Sequence, residues 1–576
     1  MRIERRVPVS DTESLVNLQP FLRRIFAARG VQSESELDNS LSRLLPPTLL
    51  AGIEDAVGRL ERALGDQQKI LIIGDFDADG ATSCALGVLV LRALGANVDY
   101  LVPNRFEYGY GLTPEIVNEA LELSPDLLIT VDNGISSIAG VEVANAAGVD
   151  VLITDHHLPG EQLPDALAIV NPNQPGCAYP SKALAGVGVL FSVLAALRSR
   201  LRENSWFDLN GVSEPNLAEF LDLVALGTVA DVVPLDHNNR ILVAQGLARM
   251  RCGNMRPGIS ALLEVADRNP ATLTAADLGF AIGPRLNAAG RLDDMSVGIE
   301  CLLASDFNAA LVFAKELDAL NRDRRVIETG MRDQAMAALD ALTTQSRDKM
   351  PIGLCVYDAD WHQGVIGILA ARLRERYHRP VIAFADAGDG LYKGSARSLP
   401  GFHIRDALAA VDAKHPGLLH AFGGHAMAAG VTLDAGNYDA FQATFDAEVR
   451  ATLEPYLLEA KVLSDGELES AELTLESAQL LRDAGPWGQQ FPEPTFDGHF
   501  FVRSQRLVGE RHLKLALFKP DQPSKVLDAI AFNIDPEQWP DHRVEQVELV
   551  YRLDINNWRD RRSLQLIVEH IAPLHR

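Results

Sequence analysis

Three short apolar runs in the first half of the chain, KILIIGDFD, DLLITVDNG and VDVLITDHH, pass directly from β-branched and leucine-rich residues into ionisable ones. A fourth, LAIVNPN, follows the same plan with asparagines, and helical stretches such as ATSCALGVLVLRALG and SSIAGVEVANAAG lie between the runs. Apolar runs this short, linked by helices, call for mainly parallel strands covered on both faces. Residues 69–240 are therefore expected to form an α/β sheet. In such a sheet ligands bind beyond the carboxyl ends of the strands, which is where each polar ending falls.

Asp75, Asp77 and Asp79 in IIGDFDADG alternate just past a strand, and Gly80 turns that strand into a loop. Converging carboxylates repel one another unless a cation neutralises them. The segment reads as a divalent-metal site or, more plainly, as a solvated acidic loop. An EF-hand fits poorly, because the following ATSCAL supplies no distal Glu. Asp132 in ITVDNG repeats the logic, with a helix cap as its plain alternative. Asp155, His156 and His157 close the third run, where two surface histidines are the plain alternative, and Asp231 in ALGTVADVVPLD adds a further carboxylate.

Together these endings favour a divalent-metal cluster over any bland reading of one segment. Hard carboxylates with imidazole favour Mn²⁺ or Mg²⁺ over thiolate-bound zinc. The five cysteines are isolated and lack CxxC spacing, so they suggest neither a zinc site nor a disulfide framework. Two cations about 3.5–4 Å apart would organise phosphoryl transfer by activating water and stabilising the leaving oxygen.

A chain of 576 residues exceeds one hydrophobic core, which stops growing at roughly 250–300 residues, so several folding units are expected. Its 47% apolar and 23% charged residues match ordinary globular usage and exclude general disorder. The opening MRIERRVPVSDTESL has no apolar h-region, and no run approaches roughly 18–20 apolar residues, so a cytoplasmic chain without a membrane segment is expected. A formal charge of −25 argues against attachment to DNA by general basicity but leaves room for a local basic channel.

In residues 1–50, LVNLQPFLRRIFAARG carries a helical stripe of Leu18, Phe21, Leu22, Ile25 and Phe26, which suggests an N-terminal adaptor segment. A mixed-charge pattern from about Asp306 to Leu342 reads as a connecting helix. A second α/β unit follows, containing the glycine-rich segments YKGSARSLPG and AFGGHAMAAG, which suit close backbone approach to a phosphate. After LEPYLLEA, the alternating segments TFDGHFFVRSQRLVG, HLKLALF, VLDAIAFNI, VEQVELVYRLDINNW and RSLQLIVEHI suggest a small β-barrel, with an OB-fold as the leading candidate.

The ordered segments DFDADG, VDNG, TDHH and VAD resemble the four motifs of the DHH phosphoesterase family, and YKGSARS and FGGHAMAAG resemble its DHHA1 domain. PNRFEYGYG, IGPRLNAAGRLDD and the barrel preceded by PWGQQFPEPTF resemble the RecJ-type branch in particular. The resemblance covers essentially the whole chain. It implies a multidomain α/β protein: a parallel-sheet DHH catalytic domain over 51–300, a connecting helix over 301–345, a DHHA1 domain over 346–454 and an OB-fold-like nucleic-acid-binding domain over 455–576.

The implied activity is single-strand-specific 5′→3′ DNA exonuclease action that releases 5′-mononucleotides, in recombination and repair. The implied protein is a monomer acting on 5′ ends of single-stranded DNA, with single-stranded-DNA-binding protein and a RecQ-type helicase as functional partners. By the same resemblance, Asp77 would ligate the first metal, Asp79 the second, and Asp132 both. His156 and Asp231 would complete the second site, with His157 close to the scissile phosphate. Smaller family members carry His and Asn where this chain has Ile73 and Asp75, so Ile73 cannot ligate and Asp75 would compensate at the first metal.

For substrate contacts, the resemblance implies that Arg105 holds the 5′ phosphate, where a loop ion pair is the alternative. Arg285, Asn287 and Arg291 would touch the DNA backbone or else pin their loop. Ser395, Arg397, Gly423, Gly424 and His425 would grip phosphate, although either segment alone equally suits a tight turn. In the barrel, Arg503, Arg506, Arg511, Lys514 and Lys519 lie among Phe500, Phe501 and Phe518; at least half of these aromatics are expected in the core, the rest against bases. Two competing readings remain. A short-oligonucleotide or cyclic-dinucleotide phosphodiesterase leaves the barrel unexplained, and a catalytically silent nucleic-acid scaffold is opposed by the retained Asp and His set.

Overall fold

The computed structural model describes residues 2–9, 15–103, 111–345, 350–509, 511–535, 538–558 and 561–574. The chain divides into two compact units, Met1–Arg2 with Ala319–Val462, and Ile3–Asp318 with Leu463–Arg576.

The larger unit opens with α1 (Pro20–Ala27), which buries Phe21, Leu22, Ile25 and Phe26. Leu18 precedes the helix because Pro20, with no N–H to lose, occupies its first turn. Five parallel strands follow: β1 (Lys69–Gly74), β2 (Asn97–Leu101), β3 (Leu127–Val131), β4 (Asp150–Thr154) and β5 (Ala168–Val170), in the order β2-β1-β3-β4-β5. The four apolar runs are the four strands from β1 to β5 other than β2. Strand β2, NVDYL, lies outside those runs because it is an edge strand with exposed polar positions. Leu71, Ile73, Leu128 and Ile153 pack on one face against Ile116, Val117 and Val141.

Chain direction across the sheet reverses between β1 and β3, which makes that gap the switch point where open α/β sheets bind ligands. Around it stand α2 (Ala78–Ala93), α3 (Gly186–Glu203), α4 (Leu221–Ala230) and α5 (Gly283–Leu292). Helix α2 is buried almost all round, as its largely small and apolar sequence requires. The long mixed-charge pattern is α6 (Phe307–Gln345), whose first turns to Asp318 belong to the larger unit and whose remainder belongs to the smaller.

The smaller unit holds β6 (Leu354–Tyr357), β7 (Val381–Asp386), β8 (Leu391–Arg397), β9 (Ala421–Gly424) and β10 (Ala428–Asp434), ordered β9-β10-β8-β7-β6. Only β6 and β7 are parallel. Both glycine-rich segments are therefore largely strand rather than loop, with Ser395 opposite Gly430 and Gly424 opposite Ala429.

The C-terminal region of the larger unit is a closed barrel of β11 (Phe496–Val508), β12 (His512–Phe518), β13 (Leu527–Ala531), β14 (Gln546–Trp558) and β15 (Arg561–Pro573). Its order is β11-β12-β13-β15-β14, antiparallel except between β13 and β15, and its strands are the five alternating segments. Alternate burial along β12 and β13 places Leu513, Leu515 and Leu517 inside the barrel.

Candidate metal centre

Gly74, Val131, Thr154 and Val170 are register partners on neighbouring strands. The residues that follow them, Asp75, Asp132, Asp155 and Asn171, consequently emerge side by side at one sheet edge. The ladder continues one step further, with Asp132 N donating to Thr154 O at 3.0 Å and Asp155 N to Val170 O at 3.1 Å. Asp132 then turns sharply, with φ at 62°. Val232, directly after Asp231, has the same φ of 62°. Such left-handed backbone costs a non-glycine residue about 1–3 kcal/mol and concentrates at functional sites. Close approach of α3 requires Gly186, because a Cβ there would lie 2.6 Å from that of Asp132.

Asp77 caps α2, its Oδ1 accepting from Asp79 N at 2.9 Å and Gly80 N at 3.0 Å. Asp79, in the first turn of α2, meets the start of α3: its Oδ2 accepts from Gly186 N at 2.6 Å and its Oδ1 from Val187 N at 3.0 Å. The positive end of α3 thereby favours this carboxylate. Asp231 stands at the C-terminal end of α4. His156 Nε2 lies 3.0 Å from Asp132 Oδ1 and 3.4 Å from Asp231 Oδ2.

Three sets of donor atoms fall within 4.8 Å of one another: Asp75, Asp77 and Asp132; Asp79, His156 and Asp231; and Asp132, His156 and His157. Asp132 stands between the first two sets, in the first and touching His156 of the second. Burial and neighbouring carboxylates push Asp75, Asp132 and Asp231 well above the usual carboxylate range. The same causes push Asp79 up to about 7. Burial pulls His156 down to about 4, so its imidazole is neutral near pH 7. A group of acids that repel one another when ionised, together with one neutral imidazole, is a donor set that hard divalent cations fit.

Asp155 organises the histidines and is a member of the site that the sequence reading left without a role. Its Oδ1 accepts from His156 N at 2.7 Å, His157 N at 3.0 Å and His157 Nδ1 at 2.8 Å, and its Oδ2 accepts from Ile135 N at 2.9 Å. Burial opposes its charge, but the His157 and backbone donors outweigh that cost and lower its pKa. Burial also opposes a charged His157, yet Asp155, Asp75 and Asp77 outweigh it and raise the imidazole's pKa. The asparagines of LAIVNPN hold the same turn, Asn171 Nδ2 donating to His157 O at 2.9 Å and Asn173 Nδ2 to His156 O at 2.6 Å.

The residues expected to contact substrate are distributed differently. Arg285 has partners within the larger unit. Its side chain is buried on α5, with Nε 3.0 Å and Nη2 2.9 Å from Asp318 Oδ1 and Nη1 donating to Ala281 O at 2.6 Å. Asn287 Oδ1 accepts from Ala78 N at 2.8 Å. The Gly, Asn and Arg content of this segment suits the loop expected of it, but Pro284 suits a helix start and the segment forms α5. Arg291, also on α5, is partly buried, and Arg105 lies outside the described residues.

In the smaller unit, Arg397 Nη1 donates to Ser395 Oγ at 3.1 Å and to Ala396 O at 2.8 Å. Gly423 and Gly424 are exposed on β9, and His425 N donates to Ala428 O at 2.8 Å, closing the hairpin turn. On the barrel, the Phe501 and Phe518 rings stack at 5.4 Å and the exposed Arg503 places its guanidinium 5.6 Å from the Phe518 ring centre. Lys514 lies 3.7 Å from Asp528. Two barrel candidates are internal: Phe500 is in the core, and the buried Lys519 Nζ donates to Glu467 at 2.8 Å and to Leu468 O at 2.6 Å.

Residues 69–228 match the DHH family N-terminal domain, residues 351–451 the DHHA1 domain and residues 464–570 the RecJ OB domain. A relative from Dickeya dadantii, a single-stranded-DNA-specific exonuclease RecJ, is 58% identical over 571 residues, covering 99% of both chains. The protein of the same name from Escherichia coli is 57% identical over 572 residues, again covering 99% of both. Among solved structures, RecJ from Thermus thermophilus in complex with Mn²⁺ aligns with a TM-score of 0.80 at 31% identity, covering 100% of this chain and 80% of that one. A Mg²⁺ complex of the same Thermus protein aligns at 0.75. With likeness of this extent across the DHH, DHHA1 and OB regions, the chain belongs to the RecJ family.

Proposed function

We propose that the chain is a single-strand-specific 5′→3′ DNA exonuclease that releases 5′-mononucleotides by two-metal phosphodiester hydrolysis, in recombination and repair. The observation that carries this reading is Asp132, set at the sheet's switch point between two groups of metal-ligating side chains. The names of the full-length relatives support single-stranded DNA as substrate. The direction of digestion rests on the family resemblance of the motifs.

In this reading Asp75, Asp77 and Asp132 hold one cation, and Asp79, Asp132, His156 and Asp231 hold the other. A pair of Mn²⁺ or Mg²⁺ ions bound there supplies an acidified water and charge stabilisation at the leaving 3′ oxygen. Asp155 fixes His157 with its Nδ1 proton directed at the carboxylate, which raises the imidazole's pKa and holds the ring for contact with the scissile phosphate. The hydrogen bonds of Asp79 to α3 fix where its carboxylate stands before substrate arrives.

Arg105 takes the 5′ phosphate, and Arg291 the DNA backbone. Ser395, Arg397, Gly423, Gly424 and His425 form a phosphate-gripping group in the smaller unit. Phe501 and Phe518 with Arg503 and Lys514 form a stacking and phosphate platform on the barrel, a combination that suits single strands because every base has a stacking face. The protein acts as a cytoplasmic monomer alongside single-stranded-DNA-binding protein and a RecQ-type helicase. Among the described residues, no helix is long and apolar enough to cross a membrane.

The test is digestion of 5′- and 3′-end-labelled single strands with Mn²⁺. Immediate release of labelled mononucleotide from the 5′ end, with the 3′ label retained in shortening products, is expected. Release from the 3′ end first, or cleavage restricted to dinucleotides, contradicts the proposal.

A further inference from the structure

The N–H groups in the first turn of a helix have no acceptor within the helix and must find one elsewhere. In α2, Ala81 N reaches the Asp77 carbonyl at 2.9 Å, and the Asp77 side chain satisfies Asp79 and Gly80 through one oxygen, Oδ1. Ala78 is the remaining donor of that turn. Its N–H goes to Asn287 Oδ1 at 2.8 Å, from a residue 209 positions along the chain.

The helix that brings Asn287 there lies hard against the same loop. A Cβ at Gly290 would fall 1.7 Å from the Phe76 carbonyl oxygen, so only glycine permits the approach. Asn287 and Gly290 are three apart and share a face of α5. Their contacts, to Ala78 and Phe76, bracket Asp77. Arg285 ties the same helix to Asp318 at the head of α6.

We infer that Asn287 is a positioning residue for the metal centre, an inference that rests on the reading of Asp77 and Asp79 as cation ligands. By accepting from Ala78, it leaves Asp77 Oδ2 free of capping duty and fixes the backbone that carries both acids. Without it, the exposed N–H either draws on the Asp77 carboxylate or frays the first turn of α2. Either outcome sets helix capping against cation binding at the same side chain.

The other role open to Asn287, a direct contact with DNA phosphate, predicts the opposite response at one substitution. Asn287→Asp keeps the acceptor oxygen for Ala78 but places a negative charge where a phosphate would lie. Asn287→Leu removes the acceptor at similar size.

The experiment titrates the full chain with Mn²⁺ in the absence of DNA, reading free ion by electron paramagnetic resonance. Single-strand affinity is measured separately in EDTA by fluorescence anisotropy. Asn287→Leu is expected to weaken Mn²⁺ binding about tenfold, the scale of one buried donor left unsatisfied, with single-strand affinity unchanged. Asn287→Asp is expected to restore Mn²⁺ binding. Gly290→Ala, which keeps Asn287 but pushes on Phe76, is expected to weaken it and serves if the leucine variant does not fold. Wild-type Mn²⁺ binding in Asn287→Leu, or an aspartate variant as weak as the leucine one, overturns the inference. Loss of single-strand affinity with intact Mn²⁺ binding overturns it in favour of a DNA contact. Failure of the unsubstituted chain to bind Mn²⁺ defeats the metal-centre reading itself and is seen before any variant is made.

Discussion

Asp155→Asn isolates the part of the centre that orients histidine from the part proposed to bind metal. The carboxylate accepts four hydrogen bonds, three at Oδ1 from His156 and His157 and one at Oδ2 from Ile135 N. An amide of the same shape must turn its NH₂ toward one side. Facing the histidines sets it against three donors, whereas facing Ile135 sets it against one, so the second arrangement prevails. It leaves the Ile135 N–H without an acceptor and sets the buried amide NH₂ against it, a cost of at least about 1–3 kcal/mol in stability. The His157 ring then keeps a neutral acceptor in place of a carboxylate. A charge-assisted bond of about 1.5–3 kcal/mol becomes an ordinary one of about 0.5–1.5 kcal/mol. The difference, about 1–1.5 kcal/mol, corresponds to roughly a tenfold loss of turnover if His157 stabilises the transition state. The assay is single-turnover release of 5′ nucleotide with saturating Mn²⁺, paired with Mn²⁺ titration. Turnover down roughly tenfold with cation stoichiometry intact is the expected pattern. Unchanged turnover, or loss of a bound cation, refutes the division of labour between Asp155 and the acids around Asp132.

Three further substitutions probe other parts of the account. Asp132→Ala should lower turnover on the order of a thousandfold and reduce bound Mn²⁺ while metal-free strand binding persists; full activity with intact metal content contradicts the shared-ligand role. Arg285→Ala removes the guanidinium's hydrogen bonds to Asp318 and to Ala281 O and should destabilise the larger unit by about 2 kcal/mol, read from urea unfolding. Its affinity for single strands should not change. Arg105→Ala should weaken the preference for 5′-phosphorylated ends more than it alters metal loading, and equal effects on phosphorylated and unphosphorylated ends argue for a structural role.

The acids at the sheet edge can be found from sequence because each of these candidate ligands is contiguous with the strand that presents it. An apolar run marks the strand, and the first residue beyond it must emerge at the edge, as Asp75 and Asp132 do. What sequence does not display are the contacts that fix the acids of the centre, because their partners are remote. Asp79 is held by backbone N–H groups 107 and 108 residues away, and Ala78 by a side chain 209 residues away. Composition also misleads where glycine is plentiful. In GPRLNAAGRL and YKGSARS the glycines suggest turns, yet one segment is α5 and the other β8, because the glycines serve close packing. Edge strand β2 escapes detection for the opposite reason, since its exposed positions are polar and leave no apolar run.

The central claim is that side chains from separated strands and helices hold a pair of hard cations with Asp132 between them. Anomalous diffraction at the manganese edge, from crystals equilibrated with Mn²⁺, tests it most directly. Two peaks roughly 3.5–4 Å apart, one beside Asp75 and Asp77, the other beside Asp79, His156 and Asp231, and both within bonding distance of Asp132, are the predicted result. A single peak, or peaks that Asp132 does not touch, would contradict the account.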